Sequence, residues 1–117
     1  MIDISERSFN LSVRIVKLCL YLQEKRRGVR AIANQLLRSG TSIGANIEEA
    51  RGGQSKADFL AKYQIALKEA RETCYWLRLL EVTEVLPKSR LNDILLEAKE
   101  IANILAASII KGRKIKP

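Results

Sequence analysis

The feature that most constrains this chain is a run of apolar and small residues that never loses its helical phase. Val29, Ala33, Leu36, Gly40, Ile43, Ile47 and Ala50 recur at alternating spacings of four and three. A strand would alternate every second residue, so this repeat is one face of a long helix. The middle of the run, Ser39-Gly40-Thr41-Ser42-Ile43-Gly44-Ala45-Asn46, is poor helix by intrinsic propensity. The repeat passes through it without a phase change, so the segment reads as helix over about 29–51. Small residues on such a face let a neighbouring helix approach closely. The Ser, Thr and Asn side chains are then expected to bond across helices or to their own helix's carbonyls.

Three more segments carry the same period, and with only two prolines and six glycines in 117 residues little interrupts them. The first spans about 5–25. It holds two adjacent stripes, Phe9-Val13-Val16-Leu20 and Leu11-Ile15-Leu18-Leu22, together wider than one buried seam needs. Lys25-Arg26-Arg27-Gly28 is expected to end it, with Gly28 as a left-handed cap. The third spans about 55–85, opened by a Ser55-Lys56-Ala57-Asp58 capping box and closed by Pro87. Its main seam is Phe59, Tyr63, Ala66, Ala70, Thr73, Leu77 and Leu80. A second, mixed seam is Ile65, Glu69, Glu72, Trp76 and Leu79. The fourth spans about 89–111, on Leu91, Ile94/Leu95, Ala98, Ile101/Ala102, Leu105 and Ile109. Residues 113–117 are expected to fray as a basic tail.

Four helices with short links favour antiparallel neighbours, so the expected architecture is all-α, one up-down antiparallel four-helix bundle over residues 1–112. The surplus apolar surface on the first and third helices predicts a homo-oligomer. Tyr75 and Trp76 are consecutive, so both cannot face one narrow core. They are the expected oligomer or partner interface. Cys19 and Cys74 sit in apolar surroundings and read as reduced core thiols. The N-terminus has no apolar leader and no stretch is long enough to span a bilayer. A cytoplasmic location, with no membrane partner, is expected.

The chain has no histidine. That removes the commonest general base and the commonest zinc ligand. Di-iron bundles need a Glu-x-x-His pair, and helical rise puts Glu48 and Glu49 far from the level of Glu69 and Glu72. Gly52-Gly53 and Ser39-Gly40 lack the lysine and spacing of a phosphate loop. No catalytic residue, metal site or cofactor is therefore expected. Ser42, Asn46, Glu49 and Lys62 are instead expected to form a buried or half-buried polar network between the second and third helices that fixes register.

The run Gln35-Leu36-Leu37-Arg38-Ser39-Gly40-Thr41-Ser42-Ile43-Gly44-Ala45-Asn46-Ile47-Glu48-Glu49-Ala50 resembles the signature of the four helix bundle protein family. That family includes proteins encoded by intervening sequences within bacterial 23S ribosomal RNA genes and the accessory variability proteins of diversity-generating retroelements. Gln35, Leu36, Arg38, Ser39, Ser42, Ile43, Asn46, Ile47, Glu49 and Ala50 carry the match. The family often ends its motif Asn-Ile-Ala-Glu-Gly where this chain has Asn46-Ile47-Glu48-Glu49-Ala50. The resemblance implies a four-helix bundle, a ring-like pentamer and a basic surface linked with nucleic acid, in a family for which no enzymatic activity is established.

The formal net charge is +8, which suits a phosphate-rich partner. The first thirty residues hold seven cations and three acids, the stretch to Leu86 holds seven of each, and the remainder again holds seven against three. The excess thus lies on the first and last helices. An up-down bundle brings Lys25, Arg26, Arg27 and Arg30 to the same end as Lys88 and Arg90. Lys111, Arg113 and Lys114 fall at the other end, near Arg51 and Lys56. These helix ends are the expected contacts to RNA or DNA backbone. The alternative is a protein scaffold that recruits a partner through the face around Tyr75 and Trp76.

Overall fold

The computed structural model describes residues 3–53 and 55–114. Four helices follow one another: α1 (Ile4–Leu22), α2 (Arg27–Arg51), α3 (Lys56–Val82) and α4 (Lys88–Lys114). Each packs against its neighbours in sequence, and α4 closes the ring on α1. Among the described residues the backbones of the diagonal pairs stay more than 8 Å apart, Cα to Cα, and α1 meets α4 along the thinnest seam of the four. The result is an up-down bundle measuring 50 × 22 × 21 Å.

The α2 repeat faces the core as its spacing requires. Ala33, Leu36, Gly40, Ile43, Ile47 and Ala50 are all buried, and Val29 packs at the edge. On α3 the buried line is Tyr63, Ala66, Glu69, Ala70, Thr73, Leu77 and Leu80. Burial raises the Tyr63 phenol above its ordinary value. On α1 the second of the two stripes is the inner one. Leu11, Ile15, Cys19 and Leu22 are buried, whereas Phe9 and Leu20 are each 66% exposed, with Val13 and Val16 also at the surface. The choice between stripes is made by the small residues of α2. An added Cβ at Gly40 would sit 2.7 Å from Ile15 Cγ2, and one at Gly44 would sit 3.4 Å from the Ser8 backbone. The tight approach foreseen from the Ser39–Asn46 run is therefore made by α1.

Helix ends are set locally. Asp3 caps α1 by accepting from the Glu6 N–H at 2.9 Å, and Ser55 caps α3 by accepting from the Asp58 N–H at 3.1 Å. Gly28 is not a cap: α1 ends at Leu22, and Gly28 lies in the first turn of α2. None of the described glycines has positive φ. The link at 23–26 needs no left-handed residue: Gln23 is right-handed, with its N–H donating to the Cys19 carbonyl at 2.9 Å, and Arg26 is extended. The left-handed position is instead Glu84, at φ 57°. There the Val85 N–H reaches back to the Leu80 carbonyl at 3.2 Å and the Glu84 N–H to the Glu81 carbonyl at 3.1 Å. This is a Schellman motif, and it ends α3 at Val82 rather than near Val85. At the other end α4 continues through Arg113 and Lys114. The rest of the expected tail, 115–117, lies outside the described residues.

No described helix is long and apolar enough to cross a membrane.

Candidate nucleic-acid interface

The two ends of the bundle collect cations as the up-down order requires. At the first end, Tyr21 in the last turn of α1 ties the groups together. Lys25 Nζ lies 4.7 Å from the Tyr21 ring centroid, and the Arg90 guanidinium carbon, from the first turn of α4, lies 5.7 Å from it. Both are cation–π contacts. Arg26, Arg27, Arg30 and Lys88 are exposed around the same end. Among the described residues none of these six cations pairs with a carboxylate. Tyr21 was not singled out by sequence reasoning. Its spacing of four from Lys25 was the available signal.

At the second end, Gly112 of α4 packs so closely on Leu60 of α3 that an added Cβ would sit 2.8 Å from Leu60 Cδ2. That contact puts the last turn of α4, with Lys111, Arg113 and Lys114, at the end of the bundle where Arg51 and Lys56 line one surface hollow with Gly112 and Leu60. Arg51 is partly committed. It donates to Ser5 Oγ at 3.1 Å and lies 3.7 Å from Glu48, while Ser5 donates to Glu48 at 2.7 Å. This cluster fastens the start of α1 to the end of α2.

Four acids are paired along the sides of the bundle, while Glu81 and Glu84 line a hollow with Lys88 at the first end. Arg38 of α2 donates to Glu69 at 3.0 Å and also to Glu72 of α3, and the Trp76 indole N–H donates to Glu72 at 2.9 Å. Beneath them the buried hydroxyls of Thr73 and Ser39 lie 3.0 Å apart. The Glu69 side chain is only 10% exposed, so Arg38 supplies the charge that its burial requires. On the opposite seam, Arg7 of α1 grips Glu97 of α4 at 2.6 Å and reaches Glu100 at 3.3 Å. The hydrogen bond to Glu97 pushes the Arg7 pKa further up.

The network expected from Ser42, Asn46, Glu49 and Lys62 forms only in part. Lys62 does reach Glu49, at 3.1 Å, but the pair is on the surface. Ser42 donates to its own helix at the Arg38 carbonyl, at 2.6 Å, and Asn46 donates to the Ser42 carbonyl at 2.8 Å. Both satisfy themselves within α2, so nothing links them to the ion pair. The buried register-setting contact is Ser39–Thr73 under Arg38. Arg38 and Ser39 both lie in the α2 signature run.

Tyr75 and Trp76 meet edge to face, with centroids 4.9 Å apart, but they differ in setting. Tyr75 is 57% exposed, while Trp76 packs half-buried against the core. Both cysteines are free. Burial pushes the Cys19 thiol up to about 11 and also raises Cys74. Among the described residues no three His, Cys, Asp or Glu side chains converge on a metal-binding position.

Comparison with known proteins bears on the whole chain. The family model described as 23S rRNA-intervening sequence protein matches residues 1–107. The crystal structure of a protein with unknown function from the S23 ribosomal protein family of Bacteroides thetaiotaomicron is 44% identical. The match covers 92% of this chain and 98% of that one, with a TM-score of 0.84. No curated protein matches.

Proposed function

The chain belongs to the 23S rRNA-intervening sequence protein family, and from that premise we propose that it is a self-assembling, non-enzymatic module that binds nucleic-acid backbone through its basic ends. The observation that carries this reading is the cluster at Tyr21. Two cationic runs distant in sequence, at 25–30 and 88–90, meet around one ring, and among the described residues none of their cations is ion-paired, although Glu81 and Glu84 line a hollow with Lys88. Unpaired cations at a convex end suit phosphates, whose binding needs charge and reach rather than a shaped pocket.

Self-assembly rests on α1. Phe9, Val13, Val16 and Leu20 form an exposed stripe with the four-three spacing of a helix–helix seam. The occupant with a matching repeat is the α1 of a second copy. A closed ring, the pentamer that the family resemblance implies, would repeat each basic end around an axis, and repeated weak phosphate contacts gain strongly from multivalency. The scaffold alternative is less well supported, because Trp76 is turned toward α2 and its N–H is already used.

The test is size-exclusion chromatography with light scattering, with and without a short RNA duplex at low salt. A defined oligomer that takes up the RNA and releases it as salt rises supports the reading. A monomer at micromolar concentration refutes the assembly. An oligomer indifferent to RNA refutes the nucleic-acid function and returns attention to a protein partner.

A further inference from the structure

Counting charge along the chain makes α3 nearly neutral, with five cations against four acids, but the charges of its middle are sorted by direction. Its acids Glu69 and Glu72 face α2 and are held there by Arg38. Its cations Lys68, Arg71 and Arg78 point the other way, toward α4. Lys68 and Arg71 line a groove between the two helices with Gln64, Ile110 and Arg113. One turn beyond Arg71, Cys74 lies under the fields of both Lys99 of α4 and Arg78 of α3, each favouring its thiolate against the larger effect of burial. Arg78 and Lys99 are thus the cations nearest Cys74, along the helices from the hollow that Lys68, Arg71 and Arg113 line. Among the described residues none of these five cations pairs with a carboxylate. Beside the groove, on the outer face of α3, sits Tyr75, exposed and sharing with Arg78, Leu79 and Val82 a hollow lined by α3 alone.

We propose that the α3–α4 groove is a binding track for single-stranded nucleic acid, with Lys68, Arg71, Arg78, Lys99 and Arg113 following the phosphates and Tyr75 stacking on a base. A row of cations along a groove with an exposed aromatic at its edge is the arrangement by which single strands are held without sequence preference. From Arg78 to Lys68 the track runs about 15 Å at the helical rise. It leads into the basic end at Arg113, so the groove and that end form one surface. A duplex keeps its bases stacked inside and offers Tyr75 nothing, which is why the aromatic selects the single strand. This inference rests on the nucleic-acid reading above but places the main contacts on the side of the bundle rather than at its ends.

The experiment compares wild type with variants at three places by fluorescence anisotropy, using labelled oligouridylate and an RNA duplex of equal length. The groove variant is Lys68→Glu/Arg71→Glu, with Lys68→Gln/Arg71→Gln as a milder form should charge reversal disturb folding. The end variant is Arg26→Glu/Arg27→Glu, and the third is Tyr75→Ala. Wild-type affinity for the single strand is expected to fall about 100-fold between about 50 and 200 mM salt if five phosphates are engaged. Both groove variants are expected to weaken it at least tenfold, and the end variant less. Tyr75→Ala is expected to cost the single strand about tenfold and the duplex nothing, a stacking signature that a structural role would not give. If the groove variants bind like wild type while the end variant fails, the groove is overturned and the end-binding function stands. If Tyr75→Ala weakens strand and duplex equally, the single-strand assignment is overturned. If the wild-type protein binds neither probe, both readings fall together.

Discussion

Replacing Gly40 with alanine sets two effects of known size against each other. In an exposed helix the change stabilises by about 1 kcal/mol, because glycine costs backbone entropy. Here the new Cβ would lie 2.7 Å from Ile15 Cγ2, 3.0 Å from Cγ1 and 3.3 Å from Cβ. Ile15 cannot turn aside. It is fully buried, and a β-branched side chain in a helix has essentially one rotamer. Relief must come from moving α1 off α2, and overpacking of this kind costs roughly 1–3 kcal/mol. The expected net is a loss of about 1 kcal/mol, seen as a midpoint lower by about 4 °C in thermal unfolding followed by circular dichroism at fixed protein concentration. Gly44→Ala is the control. Its nearest neighbours lie at 3.4 Å, an ordinary contact, so the propensity term wins and the protein gains up to about 1 kcal/mol. Ile15→Ala alone should cost about 2–5 kcal/mol. In that background Gly40→Ala should become stabilising, because the atoms it strikes are gone. A Gly40→Ala protein more stable than wild type, or a double-mutant cycle with no coupling, would refute the reasoning that this glycine exists to admit Ile15.

Two further outcomes follow from features of the same structure. Glu84 holds the left-handed position of the α3 Schellman motif, so Glu84→Gly should raise stability by about 1 kcal/mol in urea unfolding, while Glu84→Val should lower it. The Cys19 thiol is raised from the ordinary 9.0 to about 11 by burial, so the folded state keeps a proton that the unfolded chain releases. Stability is then full below about pH 9 and lost as pH rises from there through 11, and the slope should be shallower in Cys19→Ala.

The faces of α2 and α3 were legible because each carries one line of apolar and small residues in continuous four-three phase. Val29 to Ala50 and Tyr63 to Leu80 fell on the core side where their spacing put them. α1 was not decided by its own residues. Its two stripes are equally apolar, and the choice belongs to Gly40 and Gly44 on the partner helix, which admit Ile15 and the Ser8 backbone and no more. Cap positions split the same way. Asp58 three residues after Ser55 announces itself, whereas no local rule favours glutamate at Glu84's φ. The basic ends could be located from topology alone. The α3–α4 groove could not, because a count along α3 sets five cations against four acids, and only the packing, with Glu69 and Glu72 held on the α2 side by Arg38, shows which cations are left on the other side.

The thin seam between α1 and α4 has a kinetic meaning. Every other helix contact joins chain neighbours across a link of a few residues, so most of the core is assembled from local hairpins. Only one closure spans the whole chain, with Arg7 on Glu97 as its fastener, and its entropic cost grows only as the logarithm of the loop it closes. Low contact order of this kind places the protein among fast-folding helical domains. On the ribosome, α1, α2 and α3 can pack as they emerge, leaving α4 to complete the ring last.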